Sequence, residues 1–136
     1  MSDCEPLWRL LHEQAPDAII FAGTDGIIRA WNKAAVAVFG YCREEAIGQS
    51  LDIVIPEPIR AAHWAGYNRA LAAGETKYLG KAMPTRSLRK DGSKLYIELS
   101  FSIIKDAEGN VIGALAHARD ITGRREQQPK TTGHSA

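Results

Sequence analysis

The chain has 136 residues, of which 45% are hydrophobic and 24% charged, and its formal net charge at pH 7 is +1. These values indicate one domain that builds its core without disulfides or a structural metal, and they argue against nucleic acid or an acidic membrane as a direct partner. No apolar run reaches the length of a membrane span, and the N-terminus lacks the features of a signal peptide, so we expect a cytoplasmic protein. The two cysteines, Cys4 and Cys42, lie too far apart to indicate a zinc site or a disulfide framework.

The first third of the chain predicts a helix and then a β-hairpin. Residues 5–15, EPLWRLLHEQA, place three leucines on one helical face. Two short apolar runs, DAIIFAG and IIRAW, are typical of strands. The Asp25-Gly26 pair between them indicates a hairpin, because glycine accepts a positive φ without a steric penalty. Asn32 is suited to cap the helix that follows.

The rest of the chain predicts a long helix and three strands. The helix carries His63 and ends at Gly74. The strands span residues of about 81–89, 94–104 and 111–122. The middle strand, KLYIELSFSII, alternates apolar and polar residues as a strand with one buried face does.

Four sequence motifs occur in an order that resembles a known family. They are the Asp25-Gly26 hairpin followed by AWNKAA, then FGYCREEAIGQS, then RKDGS, and finally ARDIT. Together they resemble the PAS domain over residues 8–122. The resemblance implies an α+β fold in which a five-stranded antiparallel sheet carries several helices on one face. We expect an N-terminal cap helix at 1–16 and a sensory domain at 17–122. Residues 123–136 lack apolar periodicity and contain Pro129, which predicts a disordered polar tail.

The family resemblance implies a sensory or regulatory role and not catalysis. PAS domains bind a ligand or cofactor between sheet and helices, or use the sheet to dimerise, and the fold alone does not determine which. The sequence shows no arrangement of nucleophile, base and acid, no Gly-rich phosphate loop and no cysteine–histidine cluster. We therefore expect a signalling module that is not an enzyme.

The light-sensing branch of the family carries a cysteine in a Gly-x-Asn-Cys motif beside its flavin. The corresponding stretch here is Gly48-Gln49-Ser50-Leu51, in which Leu51 replaces the thiol. This departure excludes a flavin–cysteinyl adduct, but it does not exclude a flavin bound without one. Cys42 precedes this stretch and is interpreted as a small, half-buried hydrophobic residue.

The long helix also resembles the haem-binding branch of the family, found in oxygen-sensing kinases and phosphodiesterases. The similarity rests on Ile55-Pro56-Glu57-Pro58, Arg60, His63 and Gly66-Tyr67, with Gly80 at the matching interval from His63. It implies haem b as a cofactor and His63 as the proximal ligand to its iron. His63 shares a helical face with Ile59 and Tyr67, and a neutral imidazole on such a face is a suitable iron ligand.

The strands supply the other predicted pocket residues. Met83 stands where the kinases of this branch have a distal arginine, so the resemblance implies a thioether as the distal iron ligand and no arginine to stabilise bound oxygen. Leu99 and Phe101 share the apolar face of their strand. On the last strand Ala114, Ala116 and Ala118 alternate onto one face, and an inward alanine face leaves room for a ligand.

Each of these residues also has a purely structural interpretation. In family members without haem, a histidine at this helix position packs in the core or bonds a loop carbonyl. Met83 would then be a flexible core filler. A bulky neighbour such as Trp64 or Phe39 would cover the alanine face.

The N-terminal helix has more apolar surface than a lone cap needs, through Leu7, Trp8, Leu10 and Leu11. It either packs across a homodimer, for which the sheet face is the other candidate surface, or covers the outer face of its own sheet.

The closing ARDIT resembles the family's connection to an effector, so the output goes to a signalling partner in trans or to an effector beyond Ala136. Two functions remain open: a sensor that holds a small ligand, with haem as the leading candidate, and a ligand-free interaction module in signal transduction or transcriptional regulation.

Overall fold

The computed structural model describes residues 6–77 and 80–123. Its helices are α1 (Leu7–Gln14), α2 (Lys33–Phe39), α3 (Arg43–Ala46) and α4 (Arg60–Ala73), with 3-10 helices at Leu51–Val54 and Glu57–Ile59. Its strands are β1 (Ala18–Gly23), β2 (Ile28–Trp31), β3 (Met83–Leu88), β4 (Lys94–Lys105) and β5 (Val111–Asp120). The tail predicted at 123–136 lies outside the described residues, apart from Gly123.

The five strands form one antiparallel sheet in the order β2-β1-β5-β4-β3. The α+β fold that the motifs predict is confirmed. Some strand boundaries differ from the predicted ones, and β3 is shorter than the predicted 81–89. Its pairing with β4 begins at Met83, opposite Leu99, and ends at Leu88, opposite Lys94, so the residues on either side belong to the flanking loops.

Local sequence explains where the first hairpin turns and where α2 begins. Gly26 has a φ of +77°, and the Asp25 carboxylate accepts the backbone N–H of Ile27 at 3.0 Å, which closes the predicted turn. Asn32 Oδ1 accepts the backbone N–H of Ala35 at 3.0 Å. The first turn of α2 therefore has the expected side-chain cap.

The inner, helix-covered face of the sheet carries two groups of buried residues. The large cluster consists of Ala18, Ile20, Ile28, Trp31, Ala35, Phe39, Ala46, Val54, Ile55, Leu95, Ile97 and Ala118. The small cluster consists of Ala22, Tyr67 and Ala114, with Leu51, Trp64, Leu71 and Ile103 packed against it. The alanines of β5 point inward together with the apolar residues of β4, because cross-strand partners such as Leu99 and Ala118 share a face.

Helix α1 is attached at its C-terminal end, but its apolar face is uncovered. Asn32 Nδ2 donates to the His12 carbonyl at 2.8 Å, which ties the helix to the core. Leu7, Trp8 and Leu11 are 67%, 64% and 61% exposed. The interpretation that α1 covers the outer face of its own sheet is therefore wrong, because a covering helix would bury these side chains.

Cys42 is exposed, so its interpretation as a half-buried hydrophobic residue is wrong. It is the N-cap of α3, where its thiol accepts the N–H of Glu45 and the Glu45 carboxylate accepts the N–H of Cys42 at 2.9 Å. This reciprocal pair is a capping box, which places the thiol at a helix end and not in the core. A hydrogen bond from Lys90 also holds the pKa of Glu45 down to about 2.

Candidate ligand-binding site

His63 lies on α4 beside Tyr67, the buried residue through which this helix contacts the sheet. The imidazole is half-buried, and its ring centre is 4.5 Å from that of Trp64, with the two planes at 76°. The ring centres of His63 and Tyr67 are 5.6 Å apart, and those of Trp64 and Tyr67 are 5.1 Å apart. These three residues form one aromatic group.

The imidazole of His63 contains a buried nitrogen with unused bonding capacity. Its Nδ1 makes no hydrogen bond within the part of the chain that the structure describes. Burial lowers the pKa of His63, and the nearby Asp52 carboxylate opposes that effect. The ring is therefore neutral at pH 7, and a neutral imidazole can accept a hydrogen bond or ligate a metal.

Tyr67 attaches α4 to the end of β1. Its hydroxyl donates to the Gly23 carbonyl at 2.7 Å and lies 3.3 Å from the Ala22 carbonyl. Burial raises the pKa of Tyr67 to about 12, and the Asp25 carboxylate adds to the effect. The hydroxyl therefore stays protonated and keeps its bonds to β1 at physiological pH.

Asp52, in the 3-10 helix Leu51–Val54, attaches the first half of α4. Its carboxylate accepts the indole N–H of Trp64 at 2.8 Å, and its backbone carbonyl accepts the Arg60 guanidinium at 3.2 Å. Tyr67 is the one buried residue of α4. The helix that carries His63 is thus fixed to the domain by these polar contacts and by the packing of Tyr67, Trp64 and Leu71 in the small cluster.

Most of the predicted pocket residues pack in or against the two clusters. Ala118 belongs to the large cluster and Ala114 and Tyr67 to the small one, whereas Ile59, Leu99 and Ala116 pack against the large cluster. Phe101 differs. It lies opposite Ala116 and is half-buried, but among the described residues it packs against neither cluster. The inner face is therefore least filled around Phe101, next to the one-carbon side chain of Ala116.

Met83 lies at the edge of the sheet. Its pairing with Leu99 places it on the inner face, but its side chain is 39% exposed. The interpretation of Met83 as a core filler is therefore wrong. The structure brings His63 and Tyr67 together, whereas Met83 lies at the edge of the sheet. The role of Met83 as a distal ligand stays a prediction.

Two surface depressions are lined by residues that, apart from Phe101, lie outside the predicted pocket, and neither includes His63. One has a volume of about 210 Å³ and is bordered by Gly74, Glu75, Thr76, Ser102, Ile103 and Lys105. The other has a volume of about 330 Å³ and is bordered by Gly80, Lys81, Ala82, Ser100, Phe101, Ser102, Leu115 and His117. Phe101 is the predicted pocket residue that borders one of them.

The sequence patterns did not predict that Asp52 belongs to this site, and they predicted Trp64 only as a side chain that covers the alanine face of β5. Trp64 does pack against the small cluster that contains Ala114, as the structural alternative predicts. Asp52 has a weak local signal, since Ser50 Oγ accepts its backbone N–H at 3.1 Å and caps the 3-10 helix. Its contact with the indole of Trp64 joins residues that are 12 positions apart, and no local pattern encodes such a contact.

Comparison with known proteins identifies the fold family. A family model described as PAS fold matches residues 12–126. The chain belongs to the PAS family. Among solved structures, the PAS domain of a protein from Colwellia psychrerythraea has a TM-score of 0.75 and 28% identity, with 87% of this chain and 97% of that chain covered.

Two curated relatives of this PAS domain are named as sensors. It is 30% identical over 115 residues to the sensor protein FixL of Bradyrhizobium diazoefficiens and 31% identical over 121 residues to the oxygen sensor protein DosP of Escherichia coli. These alignments cover 85% and 89% of the chain but only 22% and 15% of the relatives, so it spans a small part of either protein. PAS domains are in general sensory modules without catalytic activity. Within the described residues, no helix is both long and apolar enough to cross a membrane.

Proposed function

We propose that this PAS domain is a sensor that binds haem and that His63 is the proximal ligand to the iron. The observation that carries the proposal is the half-buried, neutral imidazole of His63, whose buried Nδ1 has no partner among the described residues. The similarity to FixL and to DosP, which is named an oxygen sensor, supports it. When bound, haem would supply an iron centre at which a small ligand could bind by displacing Met83.

The side chains next to His63 are aromatic, and the inner face beyond them carries small apolar side chains, which suits a flat apolar group. Helix α4 contacts β5, where Ala114 is covered by Tyr67 and Trp64. The inner face is less filled farther along, because Ala116 has a one-carbon side chain and Phe101 on β4 packs against neither cluster of the described core. Trp64 and Tyr67 flank the imidazole and shield it from water. Met83 is the proposed second ligand, on the edge strand.

The proposal is tested by adding hemin to the apoprotein and recording the absorption spectrum. We expect saturable uptake of one haem per chain, with an intense band at the blue edge of the visible range. His63→Ala should abolish uptake and leave the fold intact, because the sheet does not depend on this side chain. His117→Ala is the matched control, since His117 is exposed on the outer face of β5.

Met83→Ala extends the same experiment to the second ligand. This variant should keep haem but change its spectrum from six- to five-coordinate, because only the distal bond is lost. A wild-type protein that leaves the hemin spectrum unchanged would refute haem binding. Equal uptake by the wild type and His63→Ala would refute the role of His63.

A second function is favoured by the exposed apolar face of α1. Leu7, Trp8, Leu10 and Leu11 are 67%, 64%, 40% and 61% exposed on one short helix. In this alternative the domain holds no ligand, and α1 binds a second copy or a signalling partner through these side chains. Such an apolar surface on a small domain is typical of a protein–protein contact.

A further inference from the structure

The indole of Trp64 is confined on several sides. Its N–H donates to the Asp52 carboxylate at 2.8 Å. Its six-membered ring rests on the β1–β2 turn, where a Cβ added to Gly26 would lie 2.4 Å from Trp64 Cη2. On α4 itself the indole contacts the rings of His63 and Tyr67. Trp64 therefore has little freedom to change rotamer.

Asp52 is itself held in place. Ser50 Oγ accepts its backbone N–H at 3.1 Å, and its backbone carbonyl accepts the Arg60 guanidinium at 3.2 Å. The Asp52 and Arg60 side chains also form an ion pair at 3.9 Å. Arg60 and Trp64 lie one helical turn apart on α4, so Asp52 binds two successive turns of the helix and His63 lies between them.

We propose that Trp64 is a positioning residue for His63 and that Asp52 holds Trp64 in place. Neighbouring side chains on a helix do not normally face each other. Here the edge-to-face contact at 4.5 Å makes the indole a wall against which the imidazole rests. The inference deepens the proposed function and rests on it, since the ring so positioned is the proposed iron ligand.

The first test uses the apoprotein and needs no haem. In N–H correlation spectra, Asp52→Ala should move the indole resonance of Trp64 to the position of a solvent-exposed tryptophan, and the ring signals of His63 should show increased mobility. Asp52→Asn should keep both signals close to those of the wild type, because the asparagine carbonyl still accepts the indole N–H. Unchanged amide resonances in β4 and β5 would show that the variants are folded.

The second test measures hemin affinity. Asp52→Ala should weaken binding roughly tenfold, as expected for the loss of one hydrogen bond to a charged group, whereas Asp52→Asn should restore it. Trp64→Phe keeps an aromatic ring beside His63 but loses the N–H, so its affinity should fall between those of the wild type and Trp64→Ala. If Asp52→Ala does not fold, the series Trp64→Phe and Trp64→Ala decides the question by itself.

The outcomes separate this inference from the proposed function. If the wild type takes up no haem but Asp52→Ala releases the indole and mobilises His63, haem binding is refuted and the positioning role stands. If the wild type binds haem, while folded Asp52→Ala and Trp64→Ala keep its affinity and the His63 ring signals, the positioning role is refuted and haem binding stands.

Discussion

At the scale of single residues, Asn32 joins more parts of the domain than its local role as a cap requires. It is fully buried, and its Oδ1 accepts the N–H of Ile19 at 2.8 Å in addition to that of Ala35. Its Nδ2 donates to the carbonyls of His12 at 2.8 Å and Asp17 at 3.1 Å. One amide thus links α1, β1 and α2, and every polar atom of its side chain is satisfied.

Replacement of Asn32 should therefore be severe. We expect Asn32→Ala to lower the free energy of unfolding by about 3–5 kcal/mol, because it removes the cap and leaves buried donors and acceptors unpaired. Urea denaturation followed by circular dichroism measures this loss. Asn68→Ala, at an exposed position of α4, is the control and should cost less than about 1 kcal/mol. Similar losses in the two variants would show that the Asn32 contacts contribute little.

At the scale of elements, α4 depends on polar contacts in addition to apolar packing, because Tyr67 is its one buried residue and Trp64 and Leu71 are only partly buried against it. Trp64 and Arg60 bind Asp52, and Tyr67 binds the end of β1. Strand β4, in contrast, is held by backbone pairing on both sides and by apolar packing of its inner face. Changes in single polar side chains should therefore affect α4 more than β4.

The attachment of α4 through Tyr67 should depend on pH in the alkaline range. The pKa of this tyrosine is raised from 10.0 to about 12 in the fold, so between these values the folded state keeps a proton that the unfolded state has lost. Stability should therefore fall as the pH rises through this range. Tyr67→Phe should cost about 1 kcal/mol at neutral pH and remove this part of the pH dependence. The test is to measure the urea midpoints of the wild type and Tyr67→Phe at about pH 8 and about pH 11. An equal change of midpoint in the two proteins between these pH values would contradict the prediction.

Two positions on β4 test how completely the inner face is filled. Ile97 is 5% exposed within the large cluster, whereas Phe101 is half-buried and packs against neither cluster among the described residues. We expect Ile97→Ala to cost about 2–5 kcal/mol and Phe101→Ala less than half of that, although it removes the larger side chain. Denaturation of both variants measures the difference. An equal or greater cost at Phe101 would mean that this part of the face is tightly packed.

At the scale of the whole molecule, one sheet carries both clusters and the aromatic group, whereas the exposed helix α1 packs beside α2. The proposed ligand site would lie where α4 contacts β5, whereas the apolar face of α1 is exposed on another part of the surface. Ligand binding and self-association would therefore use different side chains. A substitution on α1 can therefore disrupt self-association without altering a residue of the ligand site, and a substitution at His63 leaves the apolar face of α1 unaltered.

Self-association through α1 should respond to charge on its apolar face. Leu11→Glu should weaken association at least roughly tenfold, because a carboxylate would be buried in an apolar contact. Its effect on unfolding should stay within about 0.5 kcal/mol, since Leu11 is 61% exposed. Gln14→Glu adds the same charge to an exposed position of α1 and is the control. Sedimentation velocity over a range of concentrations measures the association of the wild type and of both variants, and urea denaturation measures their stability. A wild type that stays monomeric at every concentration would contradict the prediction.

The parts of the fold that were predictable from the sequence depend on interactions over a few residues. The Asp25-Gly26 turn, the Asn32 cap and the alternation of β4 each act within one element, so their residue types indicate the local structure directly. The edges of the predicted pocket were harder to predict. The resemblance to the haem-binding branch assigned Met83 to the pocket, but the residue is 39% exposed at the start of the edge strand.

By itself, the sequence determined the order of helices and strands, the resemblance to PAS domains and the presence of His63 on the long helix, because periodic patterns and ordered motifs carry that information. Only the tertiary structure decided which side chains surround His63 and what α1 covers. The Tyr67 hydroxyl meets the Gly23 carbonyl across 44 positions, and Asp52 meets the indole of Trp64 across 12. Such contacts exist only after the chain has folded α4 back over the sheet, so no spacing within one element specifies them.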